Sequence, residues 1–468
     1  MKKQMIWTGS TGLLLALAGS ILLASLGTSI VTVALPALSR VFSAGVQQVQ
    51  WVVLAYLLAV TVTIVLAGRL GDLYGQRRVL LTGLALFTLA SALCAGAPGL
   101  GWLVVARALQ GLAAAILMSL PLSMAKGLVP KARLGTVMGL MGTMSAIGTA
   151  LGPSLGGVVI GALGWRAAFV LLGLAGLGLW VLALRGIPKV KAAGDSAQGM
   201  DWAGSVWLSI TLLCFSLLAT GGKVGLAIQP WMWLIPGVVS LWLFIRTERQ
   251  AARPLVPVAL LGERALVSSL SMNLLVGAIM MSTLVVGPFF LFFGLGLKEA
   301  ETGMVMAMGP LAAALSGVPA GRITDRFGVH RTLMLGLLQS GMGLCCFAIF
   351  PHFMGVAGYV IALVLITPGF QLFMAANNTA VMAQAAEEHK GLLSGLLGLS
   401  RNLGFMAGAS LLPLVFASLL GDQVVADSSA QAISRAFFIT FLIAAGLCVL
   451  AIVLAWWGRS SQRASASC

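Results

Sequence analysis

Charged residues are scarce in this sequence. Only 9% of its 468 residues are charged, and 12 acidic residues stand against 28 basic ones. Soluble domains carry about 25% charged residues, so a water-exposed globule is excluded. The short alternating segments of a membrane β-barrel are also missing. The remaining pattern is 59% hydrophobic residues in long apolar runs, which predicts membrane helices, because backbone in lipid must satisfy its own hydrogen bonds.

Motifs for catalysis are missing as well. The six cysteines show no CxxC spacing or pairing with His, and the sequence has no phosphate loop or nucleophile–base pair. We therefore expect neither an enzyme nor a cofactor or metal. The net charge of +16 is spread over many short loops, which is typical of membrane topology and not of nucleic-acid binding.

Fourteen apolar segments are long enough to cross a bilayer, which takes roughly 20 residues. The predicted spans are 11–35, 48–67, 79–97, 101–124, 135–161, 166–185, 203–220, 229–246, 267–293, 302–320, 332–350, 356–381, 393–419 and 434–457. Polar segments flank the seventh and eighth spans, so this pair is interpreted as an insertion. The predicted fold class is an all-α membrane protein with six-helix bundles at 1–188 and 265–468, separated by linkers and two extra helices at 189–264.

The distribution of Lys and Arg predicts the orientation. The face assigned to the outside receives few cations, namely Arg40, Arg166, Lys223, Lys298 and Arg435. Arg107 and Arg401 fall inside or at the edge of spans, and all other cations lie on the opposite face. Because Lys and Arg favour cytoplasmic loops, both termini are predicted to be cytoplasmic, in a bacterial inner membrane.

An internal repeat connects the two halves. Segment 68–78 aligns without gaps on segment 321–331, each following the second span of its bundle. The matching residues are Gly68 with Gly321, Arg69 with Arg322, Asp72 with Asp325, Gly75 with Gly328, and Arg78 with Arg331. The repeat indicates a duplicated bundle with a pathway between its halves.

Three motifs resemble the major facilitator superfamily, and specifically its fourteen-helix drug:proton antiporter family. They are the loop 68–78, the fourth-helix phrase 107–111, and the fifth-helix phrase 148–157, which is typical of exporters. The resemblance implies two bundles that open alternately to either side of the bilayer. It also implies export of a small molecule, driven by the proton gradient, by a protein that functions as a monomer.

One position departs from the family pattern. Members commonly carry Asp in the first helix, in a phrase that here reads Leu26-Gly27-Thr28-Ser29-Ile30-Val31-Thr32. Gly27 stands at the Asp position and Thr32 at the Asn position. All 12 carboxylates map to loops or helix ends, although a cation at depth needs a counter-charge. The departure therefore weakens a preference for cationic drugs.

The loop motif predicts a gating latch, because glycines allow close backbone approach while Asp72 can meet a helix N-terminus or an Arg. The resemblance implies that Asp72 docks near the eleventh core helix, the span 393–419. The alternative is a loop that only fixes topology. The predicted latch residues are Gly68, Arg69, Asp72, Gly75, Arg77, Arg78, Asp325 and Arg331.

The fifth-helix motif predicts a close helix contact. Gly148, Gly152 and Gly156 share one helix face, and Pro153 removes a backbone hydrogen bond there. We interpret these residues, with Gly157, as an exporter hinge. Ordinary helix packing would also explain the glycines.

Polar residues inside the spans are the candidates for the substrate or proton pathway. Arg107 is expected to face the central cavity, since a guanidinium at depth costs at least roughly 2.5 kcal/mol without water or a partner. It could instead snorkel to an interface or bind only backbone carbonyls. The other candidates, each of which could merely join helices, are Gln110, Thr28, Thr32, Tyr56, Asn273, Gln371, Asn377, Asn378 and Arg401.

Two functions remain open at this point. One is a proton-driven exporter of drugs or small amphipathic molecules. The other is a dedicated exporter of an endogenous metabolite, such as a siderophore or organic acid, with a neutral, zwitterionic or anionic substrate. The proton carrier would be Asp72, Asp201 or the substrate itself.

Overall fold

The computed structural model describes residues 11–128, 131–188, 202–219, 230–250, 263–383, 390–421 and 425–465. Every regular element within these ranges is helical. The α-helices are α1 Thr11–Val41, α2 Val46–Val49, α3 Trp51–Tyr74, α4 Gln76–Ala95, α5 Leu100–Leu128, α6 Lys131–Leu163, α7 Trp165–Gly186, α8 Trp202–Ala219, α9 Leu234–Gln250, α10 Arg264–Phe289, α11 Glu299–Phe327, α12 Val329–Ala383, α13 Lys390–Leu420 and α14 Ala430–Ser465. Ten helical stretches there are long and apolar enough to cross a membrane.

Several helix boundaries differ from the predicted spans. Helix α1 continues through Pro36 to Val41, although the first span was predicted to end at 35. Proline is tolerated inside membrane helices because neighbouring helices satisfy the freed backbone groups. The predicted spans 332–350 and 356–381 are two arms of α12, which changes direction at Gly355 (φ 54°, ψ −129°).

The helices fall into two sets that pack mainly within themselves. In the N-terminal set, α1 packs against α6 and α7, and α5 lies between α3 and α4. In the C-terminal set, α10 packs against α13 and α14, and α12 joins α11 to α14. The sets therefore correspond to the two predicted bundles.

The backbone reproduces the sequence repeat at its glycines. Gly75 separates α3 from α4 with a φ of 90°, and Gly328 separates α11 from α12 with a φ of 83°. This left-handed region is costly for residues with a Cβ, so both copies of the motif need glycine at the turn. The repeat thus fixes two equivalent helix junctions.

Close backbone contacts between helices at glycine also occur in both bundles. A Cβ added to Gly148 of α6 would lie 2.5 Å from the carbonyl oxygen of Leu22 in α1. A Cβ at Gly404 of α13 would collide with the carbonyl oxygen of Leu274 in α10. The first and fifth core helices of each bundle therefore approach backbone to backbone at glycine.

The two bundles meet where α1 and α6 end and α11 begins. A Cβ at Gly157 of α6 would lie 2.6 Å from the Cα of Gly303 in α11. Arg40, at the end of α1, lies with its guanidinium carbon 4.7 Å from the centre of the Phe292 ring. Phe292 belongs to a π-helical segment, Phe290–Gly294, that follows α10. These contacts close one end of the space between the bundles.

The inserted pair, α8 and α9, contacts both bundles. Helix α8 packs on α9 and also on α3 and α13. Thr211 of α8 and Ser240 of α9 share a hydrogen bond of 3.0 Å between their hydroxyl oxygens. Glu248, in the last turn of α9, is only 2% exposed, so one predicted helix-end carboxylate is buried.

Candidate functional site

Arg107 joins three helices of the N-terminal bundle. Its Nε donates to the carbonyl oxygen of Val52 in α3 at 2.9 Å, and Nη1 donates to that of Gly27 in α1 at 3.1 Å. Nη1 also donates to Oε1 of Gln110, one turn further along α5. The guanidinium carbon lies 4.1 Å from the centre of the Tyr56 ring, a distance typical of a cation–π contact.

The partners of Arg107 are themselves hydrogen-bonded. Gln110 Nε2 donates to the Ser91 hydroxyl in α4 at 2.8 Å, and that hydroxyl donates to the carbonyl oxygen of Phe87. The Tyr56 hydroxyl donates to the carbonyl oxygen of Ala24 at 2.7 Å. A continuous buried polar network therefore connects α1, α3, α4 and α5.

The expectation that Arg107 faces a cavity is wrong for this conformation. Arg107 is 0% exposed because backbone carbonyls, the Gln110 amide and the Tyr56 ring surround it. The alternative of bonds to backbone carbonyls only is therefore not met either. Its Nη2 nevertheless has no hydrogen-bond partner. No carboxylate among the described side chains pairs with it, and Gly27, where the family pattern has Asp, supplies only its carbonyl. Within the described part of the chain, the network therefore holds a cation without a counter-ion.

Two other predicted pathway residues bond to their own helix. The Thr28 hydroxyl donates to Ala24 at 3.2 Å and the Thr32 hydroxyl to Ser29 at 2.7 Å, both to carbonyl oxygens within α1. Such bonds satisfy the hydroxyl locally. Thr28 shares the Ala24 carbonyl oxygen with the Tyr56 hydroxyl and so lies at the edge of the Arg107 network, whereas the Thr32 bond does not connect to it.

The C-terminal bundle contains a cavity of about 250 Å³. It lies between α10, α12 and α13. Its lining combines two amides, one guanidinium and an apolar wall, supplied by Asn273, Asn378, Arg401, Met374, Met382, Leu397 and Gly398. The structure therefore brings together three of the predicted pathway residues.

Amide groups next to this cavity also join helices. Asn273 Nδ2 donates to the carbonyl oxygen of Leu397 at 2.8 Å, which ties α10 to α13. Asn377 Nδ2 donates to that of Ser269 at 3.2 Å, which ties α12 to α10. The Oδ1 atoms of both residues are buried without a hydrogen-bond partner. Gln371 is partly exposed and does not line the cavity.

The predicted hinge residues form two contact surfaces on α6. Gly148, Gly152 and Gly156 face α1, where a Cβ at Gly152 would collide with the Ser29 hydroxyl. That hydroxyl donates to the carbonyl oxygen of Gly148 at 3.2 Å. Gly157 instead faces α11 of the other bundle, and Pro153 lies between the two surfaces, with its carbonyl oxygen towards α11.

The predicted latch is only partly within the described side chains. Arg77 Nε and Nη2 each donate at 2.9 Å, to the carbonyl oxygens of Ile187 and Leu184 at the end of α7. Arg78, Asp325 and Arg331 are exposed. Gly68, the side chains of Arg69 and Asp72, and the whole of Asp201 are not described, so the docking of Asp72 stays a prediction.

Sequence reasoning missed several contributors. Ser91 completes the Arg107 network, and Gly303 receives Gly157 across the bundles. Gly404 and Gly408 share the four-residue spacing of Gly148 and Gly152, so applying the same spacing rule to the second half would have found them.

Two similar helical bundles, closed against each other at one end and containing a polar cavity, define a membrane transporter. The chain belongs to the Major Facilitator Superfamily, whose family model matches residues 17–409 and, in a second match, 269–467. It is a multi-pass membrane protein that acts on small molecules, and it is not an enzyme.

Individual similarities agree with this assignment. The chain is 30% identical to the uncharacterized transporter YebQ of Escherichia coli K12, over 88% of this chain and 90% of YebQ. It is 29% identical to the drug efflux pump JefA of Mycobacterium tuberculosis, over 89% of this chain and 82% of JefA. The fold matches an inward-facing, unoccupied bacterial homologue of the human lysosomal transporter Spinster with a TM-score of 0.70, at 14% identity, over 96% of each chain.

Proposed function

We propose that the chain is a secondary active exporter that works by alternating access and is driven by proton antiport. The main support is the position of the contacts between the bundles. Gly157 meets Gly303 and Arg40 meets Phe292 at one end, whereas the cavity lies along the first half of α13. Gly157 is near the end of α6, whereas Arg401 is in the first half of α13. The contacts between the bundles therefore seal one side, and the binding region lies away from that side.

The topology of the proposed exporter has fourteen spans, with both termini in the cytoplasm of a bacterial inner membrane. The break at Gly355, which divides α12 into two arms, supports this number. The proposed domain limits are 1–188, 189–264 and 265–468. They are supported by the packing of α8 and α9, which contact each other more than they contact either bundle. In this orientation the sealed end is extracellular. The proposed functional unit is a monomer.

Drugs or small amphipathic molecules are the proposed substrates, by similarity to JefA, which is described as a drug efflux pump. Met374, Met382 and Leu397 offer an adaptable apolar surface in the cavity. The alternative is a dedicated exporter of an endogenous metabolite. The cationic character of Arg401, and the lack of carboxylates in the described cavity lining, favour a neutral, zwitterionic or anionic substrate in that case.

Transport by purified protein in proteoliposomes tests the proposal. Vesicles with an imposed proton gradient would be offered ethidium, riboflavin and 4-hydroxybenzoate, which represent cationic, neutral and anionic compounds. We expect uptake of at least one compound that stops when a protonophore collapses the gradient. Uptake that continues unchanged after this collapse would contradict proton antiport, and protein-free vesicles are the control.

A further inference from the structure

The cavity of the C-terminal bundle contains a cation for which the described residues supply no partner. Arg401 lines it and is exposed to it. Arg401 makes no hydrogen bond or ion pair with the residues that the structure describes. The other described lining residues are Asn273, Asn378, three apolar side chains and Gly398, so the described lining carries one positive charge and no negative one.

The depth of Arg401 makes this charge unusual. Arg401 lies 11 residues after Lys390, where α13 begins, or about 16 Å along a helix that rises 1.5 Å per residue. Arg401 also lies within the apolar stretch Leu396–Leu420, which is long enough to cross a membrane, so its charge is placed at membrane depth. Charged residues at this depth face water or a partner, and they mark ligand or ion pathways.

A second group in the cavity also lacks a partner. Asn273 is 1% exposed. Its Nδ2 donates a hydrogen bond to the carbonyl oxygen of Leu397, whereas its Oδ1 accepts none from the described residues. Leaving a buried acceptor unpaired costs about 1–3 kcal/mol. A ligand that brings a hydroxyl or N–H donor would satisfy this oxygen.

The remaining wall indicates a compact ligand or head group. The cavity volume of about 250 Å³ is just below the range of small-molecule pockets, which begins at roughly 300 Å³. Met374, Met382 and Leu397 provide its apolar contacts. A planar carboxylate fits the two-pronged guanidinium donor better than a spherical anion does.

We infer that this cavity binds an organic carboxylate, with the carboxylate on Arg401, a hydrogen-bond donor towards Asn273 and an apolar body against the methionines. The inference rests on the proposed function and names the substrate class of the proposed exporter. It also assigns Arg107 a different task, because Arg107 is sealed inside the other bundle and makes no contact with this cavity.

Binding to the full-length protein in detergent tests the inference independently of transport. The probes are 4-hydroxybenzoate, its neutral analogue 4-hydroxybenzamide and the cation tyramine, compared at constant ionic strength by thermal shift. The variants are Arg401→Gln, Arg401→Lys and Arg435→Gln. Arg435 is exposed near the start of α14, so its variant removes the same charge away from the cavity.

We expect 4-hydroxybenzoate to raise the Tm in a saturable way and more than the other two probes do. Arg401→Gln should weaken its binding at least about tenfold, because a hydrogen bond to a charged group contributes about 1.5–3 kcal/mol. Arg401→Lys should show an intermediate loss, and it replaces Arg401→Gln if that variant does not fold. Arg435→Gln should bind as the wild type does.

Equal shifts with all three probes, no shift with 4-hydroxybenzoate, or unchanged binding by the folded Arg401 variants would overturn the inference. Transport in proteoliposomes separates the two proposals. Proton-driven uptake of ethidium or riboflavin without carboxylate binding would remove the substrate class and leave the exporter. Carboxylate binding through Arg401 without any transport would support the binding site and remove the proposed exporter function.

Discussion

Replacing Gly157 with Ala should disfavour the conformation described above. The added Cβ would lie 2.6 Å from the Cα of Gly303 and 2.9 Å from the carbonyl oxygen of Glu299. Both atoms are backbone, so α6 and α11 must separate to reach an ordinary contact distance. Overpacking of this kind costs about 1–3 kcal/mol. Because the cost applies only where the two helices touch, the equilibrium between conformations should shift about 5–150-fold towards the state open at this end.

Distances between spin labels would measure this shift. Labels at positions 163 and 298, at the facing ends of α6 and α11, would be attached to a protein whose six native cysteines have been replaced. Gly157→Ala should move the distance distribution to longer values. Gly178→Ala is the matched control, since a Cβ at Gly178 would meet nothing within 4 Å. Identical distributions for the two variants would refute a gating role of this contact.

Three further predictions concern the rest of the site. Gly27→Asp should give a higher Tm than Gly27→Asn, because Asn has the shape of Asp but only Asp supplies a negative charge next to Arg107. Equal Tm values would show that the network needs no counter-charge. Arg77→Gln should lower stability by about 1 kcal/mol by uncapping α7, whereas the neighbouring exposed Arg78→Gln should not, as measured by thermal unfolding. Asp72→Asn should slow transport in vesicles while ligand binding persists, and an unchanged transport rate would remove Asp72 from the latch.

Much of the fold could be predicted from local features of the chain. Apolar runs indicated the helices because lipid forces the backbone to bond internally. The repeated motif identified Gly75 and Gly328. Both glycines have a positive φ and lie at the junction between two helices. The four-residue spacing of Gly148, Gly152 and Gly156 indicated a close helix contact, and α1 is the helix that makes it.

Other features were beyond local reasoning. Polarity within the spans made both Arg107 and Arg401 pathway candidates, yet Arg107 is sealed inside its bundle and Arg401 lines a cavity. The sequence also could not separate Gly157, which contacts the opposite bundle, from Gly156, which contacts α1. One residue on a helix corresponds to about 100° of rotation, and the neighbour found there depends on how the helices pack.

By itself, the sequence determined that the chain is helical, membrane-spanning and duplicated, because hydropathy, cation placement and repeated glycines act over short stretches of chain. Only the tertiary structure decided which of the cations within the spans has partners among the described residues and which end of the bundles is closed. Both properties depend on atoms far apart in sequence: Arg107 is satisfied by Val52 and Gly27, and Gly157 is matched by Gly303. Such pairings follow from packing of whole helices, which no single segment encodes.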